Sequence, residues 1–211
     1  MNFSTDRDLL VYEPTLFNDV PFAAQQRIEV YDADVVGATV QSVLADFEQA
    51  QVETGHVVLI NRRPHEVLQR VDDMTLTVSL LRDRTTDAAI PSGDGQALPL
   101  VMRTFAPQAA VVRQSLLHML GIDEDLPGSL TADAVTSPAT MARLESLGTL
   151  ERVYSSAAAL TGNNEMLLYK ADHYRRRLLT AASRLPVPID TNGDGLPDEK
   201  RYLGLSRLVR A

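Results

Sequence analysis

The chain has 211 residues, 45% of them hydrophobic and 23% charged, and carries a net charge of −8. That is enough for one domain or two small lobes, and an acidic balance argues against general nucleic-acid binding, which needs basic charge to neutralise phosphates. The absence of Cys excludes disulfides and thiolate metal sites. No apolar run approaches the roughly 18 residues of a membrane span, and the charged N-terminus MNFSTDRD is unlike a signal, so synthesis in the cytoplasm without export is expected.

The charge is unevenly distributed. Residues 1–60 hold ten acidic and two basic side chains, while residues 61–211 hold 18 of each, so the whole negative excess lies in the first 60 residues. Ser4 or Thr5 caps a short helix through Asp6, Asp8, Leu9, Leu10 and Val11, which Pro14 ends. A second short piece spans 14–18, with Phe17 and Phe22 as core anchors. From residue 26 the hydrophobic period changes to two. Residues 27–31, 38–44, 66–71 and 74–80 read as alternating strands, and 55–60 as a strand buried on both faces. Turns fall at Asn61-Arg62-Arg63-Pro64 and at Asp72-Asp73. Two consecutive hairpins and about five short strands predict a small antiparallel sheet or an SH3-like barrel. His56 and His65, in this region, read as structural. Residues 83–104 form a linker, with turn chemistry at 91–95 and a candidate last extended segment at 97–104.

The remaining chain reads as helical. Residues 105–120 form a helix with Pro107 near its first turn, an apolar face of Val111, Val112, Leu116, Met119 and Leu120, and Gly121 as its end. His118 on this helix reads as a core or interface residue. An acidic loop covers 122–137. Ser137-Pro138 starts a second helix, read through to Leu160 and weakened at Gly148. Asn163 or Asn164 caps a third helix, whose Leu167, Leu168, Ala171, Tyr174 and Leu178 share one face. Pro186 and Pro188 stop it. Within it, Arg175-Arg176-Arg177 spread over about 200° of arc. They form a solvated basic face, or a contact to an acidic neighbouring chain or to nucleic acid.

The acidic loop that follows has oxygen side chains at Asp190, Asn192, Asp194 and Asp198, with Gly195 at the turn and the Leu196 carbonyl in reach. Calcium takes roughly six to eight hard oxygens, which alternate residues of a tight loop can supply. Arg201 stands where an EF-hand needs its bidentate Glu, so the loop is closer to the short calcium loops of dockerins and thrombospondin type 3 repeats. One Ca2+ per chain is one reading. An Asx- and Gly-rich turn without metal is the other. The last residues alternate apolar and polar, and Tyr202, Leu203, Leu205, Arg207, Leu208, Val209 and Arg210 are the candidate partner-binding arm. No Gly-rich phosphate loop, HExxH, G-x-S-x-G or CxxC occurs. No catalytic residue is assigned and no enzyme is expected.

The expected fold class is α+β: a C-terminal bundle of about three helices, an inserted small antiparallel β-sheet or SH3-like barrel, and an extended C-terminal arm. Its segments are N-terminal helical turns joining the bundle (1–25), a β insertion lobe and linker (26–104), the bundle (105–189), and the acidic loop with the arm (190–211).

Five stretches carry a likeness to a known family. They are the helix from Phe105-Ala106-Pro107-Gln108 to Leu120, Met141-Ala142-Arg143-Leu144-Glu145, Lys170-Ala171 with Tyr174-Arg175-Arg176, the acidic loop 190–195, and Arg207-Leu208-Val209-Arg210. In these the chain resembles the head-to-tail connector (adaptor) proteins of tailed double-stranded DNA bacteriophages. The resemblance implies a structural virion protein of the neck, forming an oligomeric ring, commonly a dodecamer. It implies the portal protein and a neighbouring tail or stopper protein as partners, DNA only as passing cargo, and no membrane. The alternative is a calcium-stabilised bacterial binding module with an SH3-like recognition lobe, monomeric or dimeric.

Overall fold

The computed structural model describes residues 2–203, with Ala23 described by its backbone alone. The chain forms two compact units: a barrel unit, Thr5–Phe105, and a helical unit made of the residues up to Ser4 and those from Ala106 onward.

The barrel unit starts with two short helices, α1 (Asp6–Tyr12) and α2 (Leu16–Asp19). Six strands follow: β1 (Gln26–Val36), β2 (Thr39–Gln41), β3 (Val57–Ile60), β4 (Arg63–Arg70), β5 (Thr75–Ser79) and β6 (Gly95–Arg103). They close a barrel in the order β1-β2-β5-β4-β3-β6, with every pairing antiparallel. Val35, Val40, Val58, Leu76, Leu100 and Met102 belong to its buried core. β1 is long enough to pair with both β2 and β6. Its register slips between Val30 and Ala33 and between Ala33 and Val35, irregularities of the kind that bend a strand around a barrel. β3 and β4 are joined by Asn61 and Arg62, whose φ angles of 48° and 64° are those of a two-residue hairpin turn.

A buried charge cluster ties α1 to this barrel. Glu66 on β4 accepts Arg7 Nε at 2.6 Å and Arg82 Nε at 2.7 Å, and Arg7 Nη2 donates to the Arg82 carbonyl at 2.7 Å. The Arg7 backbone N–H donates to the Gly55 carbonyl at 2.9 Å. Phe17 of α2 packs on Phe105 with ring centroids 5.3 Å apart. At the ends of the unit, the Phe105 N–H donates to Asp6 Oδ1 at 2.9 Å.

The helical unit contains α3 (Ala106–Met119), α4 (Pro138–Leu160), α5 (Glu165–Arg184) and a hairpin of β7 (Pro186–Ile189) with β8 (Glu199–Tyr202). α4 is the central element, packing against α3 and α5; Met141, Leu144, Leu147, Leu150, Val153 and Tyr154 are all buried. Tyr154 stacks on Tyr174 of α5 at 6.1 Å between centroids. The N-terminal residues join this unit through Glu145 of α4, a buried carboxylate that accepts Ser4 N (2.9 Å), Ser4 Oγ (2.7 Å) and Phe3 N (3.1 Å). Asn2 Nδ2 also donates to the Ala106 carbonyl at 3.0 Å.

The expected fold is overturned in three respects. A closed six-stranded barrel replaces the small sheet or SH3-like barrel of about five strands. It closes because β6, which covers the extended segment expected at 97–104 within the 83–104 linker, pairs with both β1 and β3. The N-terminal helices belong to the barrel unit and not to the bundle, for Arg7 finds its partners on β4 and in the 82 segment. The C-terminal arm, as far as it is described, is hairpin: Tyr202 pairs with Pro186 and Lys200 with Pro188. The described residues form a mixed α+β protein with a closed antiparallel barrel and five helices.

Helix α4 runs unbroken across Gly148, which is a contact point and not a weak point. A Cβ there would lie 2.6 Å from Val112 Cγ1 of α3. Gly148→Ala gains about 1 kcal/mol of helix propensity but overpacks a β-branched neighbour with little rotamer freedom, at about 1–3 kcal/mol. Urea unfolding should therefore find Gly148→Ala destabilising in the native background and stabilising in a Val112→Ala background, where the space is open.

Candidate functional site

The loop after β7 was the strongest sequence candidate. Its carboxylates organise its own backbone. Asp190 Oδ1 accepts the N–H groups of Asn192 (3.1 Å) and Gly193 (2.7 Å), and Oδ2 accepts that of Gly195 (2.7 Å). These bonds hold the Asp190 carboxyl below its usual range. Asp194 Oδ1 accepts Leu196 N–H at 2.8 Å. Asp198 Oδ2 accepts Thr191 N–H and Oγ1 at 2.9 and 3.0 Å, and Asn192 Nδ2 donates to Asp198 Oδ1 at 3.2 Å. Gly193 and Gly195 take φ angles of 81° and 83°, which the turn requires. Arg201 reaches the Leu120 carbonyl and pairs with Glu199 at 2.9 Å. Among the described residues, no three acidic or histidine side chains are grouped to hold a metal ion. The structure thus brings Asp190, Asn192, Asp194 and Asp198 together as a hydrogen-bonded turn. Leu196 stands exposed on it.

Of the candidate partner-binding residues, Tyr202 is exposed on β8 and Leu203 is buried. Leu205, Arg207, Leu208, Val209 and Arg210 lie outside the described residues. The histidines have separate settings. His56 Nδ1 accepts the Glu53 N–H (2.9 Å), and His65 Nδ1 lies 2.8 Å from the Arg63 carbonyl. Burial lowers the pKa of both. His118 is 3.7 Å from Asp123, and His173 meets the Tyr174 ring edge-on.

A groove on the helical unit is legible in the sequence only in part. Helix α5 begins at Asn164, whose Oδ1 accepts Met166 N–H at 3.0 Å, and its buried residues are just Ala171, Tyr174 and Ala181. Its outer side, with Arg143 of α4, lines a groove of about 360 Å³ floored by Leu147 and Leu185 and rimmed by Tyr169, Arg176 and Arg184. Asp172 pairs with Arg176 one turn away. Tyr169, Asp172, His173, Arg176, Thr180 and Arg184 recur at steps of three and four, so they form one stripe. That spacing was visible beside the Arg175-Arg176-Arg177 run. Arg143 was not, because only the α4–α5 packing brings it in.

A second groove, of about 970 Å³, lies on the barrel beside Glu29, Tyr31, Arg62 and Arg103. Tyr31 donates to Glu29 Oε1 at 2.5 Å. Arg103 reaches the Phe17 carbonyl at 3.2 Å, and its Nε is buried with no hydrogen-bond partner among the described residues.

No protein-family model, curated protein or solved structure matches the chain. No helix among the described residues is long and apolar enough to cross a membrane.

Proposed function

We propose that the chain is a structural virion protein, a head-tail connector (adaptor) of a tailed double-stranded DNA bacteriophage. It assembles as a ring in the neck, between the portal protein and a tail or stopper protein, with DNA as passing cargo. The observation that carries this reading is the outer side of α5. A helix of twenty residues that buries three and presents Tyr169, Leu179 and a row of arginines has the composition of a subunit interface, where aromatic residues and Arg are enriched. The resemblance of the C-terminal half to connector proteins supports the same reading. The chain's part in it is mechanical: it holds neighbours and carries no chemistry.

The barrel groove at Tyr31 and Arg103 favours a second reading, a monomeric binding module that captures a ligand on its barrel, with calcium bound in the acidic loop.

The deciding measurement is native mass spectrometry of the purified chain, alone, with calcium, and with portal protein. The connector reading expects oligomers of several hundred kilodaltons, formed alone or on the portal. A chain that stays monomeric under all three conditions overturns it and leaves the binding module. The same spectra count calcium ions per chain.

A further inference from the structure

Two surfaces of the chain are complementary in charge and alike in apolar content. The first is the α5 groove. Tyr169 is 69% exposed and lines it with Leu147, Leu185, Arg143, Arg176 and Arg184, Asp172 being its one carboxylate. The second is one rim of the barrel, where two loops meet. Ser42 N–H donates to the Met74 carbonyl (3.0 Å) and Phe47 N–H to the Asp73 carbonyl (2.7 Å). This joins the loop after β2 to the β4–β5 turn. Val43 and Leu44, 73% and 71% exposed, stand on this rim with the exposed Val71 and Met74. Asp46, Glu48, Asp72 and Asp73 lie among them and are exposed; Arg70 is a weak partner of Glu48 at 3.6 Å.

The rim is held in shape before any partner arrives. Asp32 accepts Ser42 Oγ (2.6 Å) and the N–H groups of Val43 (3.0 Å) and Leu44 (3.1 Å) on one carboxylate. Asp72 accepts the Met74 N–H at 2.9 Å. Two adjacent aliphatic side chains on a loop fixed this way are a preorganised apolar contact, which lowers the ordering cost of docking. Acidic side chains around an apolar centre match a groove with arginines around an apolar floor.

We infer that the barrel rim of one copy, Val43, Leu44, Glu48 and Asp73, docks into the α5 groove of a second copy at Tyr169, Arg176 and Arg184. The inference rests on the ring reading and names its contact. Because the two patches differ, the interface is heterologous. Each copy keeps one free patch of each kind, so assembly continues until it closes on itself or forms a filament.

Two variants test this. One is Arg176→Glu with Arg184→Glu, and the other is Glu48→Lys with Asp73→Lys. None of these four side chains is buried, and unchanged melting temperatures would verify the folds. Multi-angle light scattering should find each variant alone associating more than about tenfold more weakly than the wild type. An equimolar mixture should recover wild-type assembly, since the acidic groove of one variant then meets the basic rim of the other. Added salt should weaken the wild-type association, as expected for exposed charge pairs. Wild-type assembly that survives in both variants alone overturns this contact while leaving the ring reading intact. Folded variants whose mixture fails to assemble also overturn it. A wild-type chain that forms no oligomer alone, with calcium or with portal protein overturns the contact and the ring reading together.

Discussion

Replacing Glu66 with Ala should cost the barrel unit about 3–5 kcal/mol, because it leaves the charges of Arg7 and Arg82 in a buried site without their counter-ion. All three side chains are largely buried. Glu66 is also the only described carboxylate bonded to both arginines, and it takes the Arg82 N–H as well, at 3.0 Å. Burial alone raises the Glu66 carboxyl, yet the bonds from Arg82 and Arg7 outweigh it and hold the group below its usual range. Against a total stability of roughly 5–15 kcal/mol for a typical domain, such a loss is large enough to follow by urea or thermal unfolding. A triple replacement, Arg7→Met, Glu66→Met and Arg82→Met, should recover most of it, since an apolar trio of similar volume removes the unpaired charge. A cost below about 1 kcal/mol for Glu66→Ala would mean that water reaches the cluster.

The second large effect has the opposite dependence on pH. Asp6 is buried, and one of its oxygens, Oδ2, has no hydrogen-bond partner among the described residues. Burial pushes its pKa from 3.8 up to about 6, against the lowering influence of the Phe105 N–H, the Thr104 side chain and Arg27. The folded pKa lies above the unfolded one, so the folded unit binds the proton more tightly. The stability from neutral Asp6 is complete below about pH 3.8 and lost as pH rises through about 6. The loss amounts to about 3 kcal/mol at neutral pH. Asp6→Asn stays neutral at every pH. Its stability relative to wild type should therefore improve by most of that amount between pH 4 and pH 8, measured as paired unfolding free energies. A difference that does not change with pH would place the Asp6 carboxylate in contact with water. Glu66, with its depressed pKa, acts in the other sense: its contribution is present above the unfolded value near 4.5 and fades as pH falls.

Local signals were legible in the sequence, and pairings between distant residues were not. Ser137-Pro138, Asn164 and Gly121 mark helix ends through side-chain and backbone chemistry that acts within a turn, and the structure places helix ends there. β3 reads as a strand covered on both faces, and all four of its residues are buried. The closure of the barrel depends on β6 lying between β1 and β3, with Val57 opposite Arg103. Those residues are far apart in the chain, so the extended segment at 97–104 was legible while its two partners were not. The Glu66 cluster was hidden for the same reason. Its arginines lie on opposite sides of it in sequence, and nothing local distinguishes Arg7 or Arg82 from a surface residue. In the acidic loop the oxygen spacing was visible, but not that backbone N–H groups would occupy the Asp190 carboxylate. On α5 the stripe of Tyr169, Arg176 and Arg184 follows from helical spacing alone. Arg143 enters only through tertiary packing.

The chain crosses into and out of the barrel unit at neighbouring points. Phe105 and Asp6 are hydrogen-bonded to each other. On the other side of each boundary, Asn2 and Ala106 are also bonded within the helical unit. Such paired ends make the barrel a portable cassette. Residues 5–105 thus enter and leave the helical unit through ends that lie close together on its side, Asn2 beside Ala106, while Ser4 keeps its hold on Glu145. Ends paired in this way are where a domain can be inserted or exchanged without breaking the elements on either side.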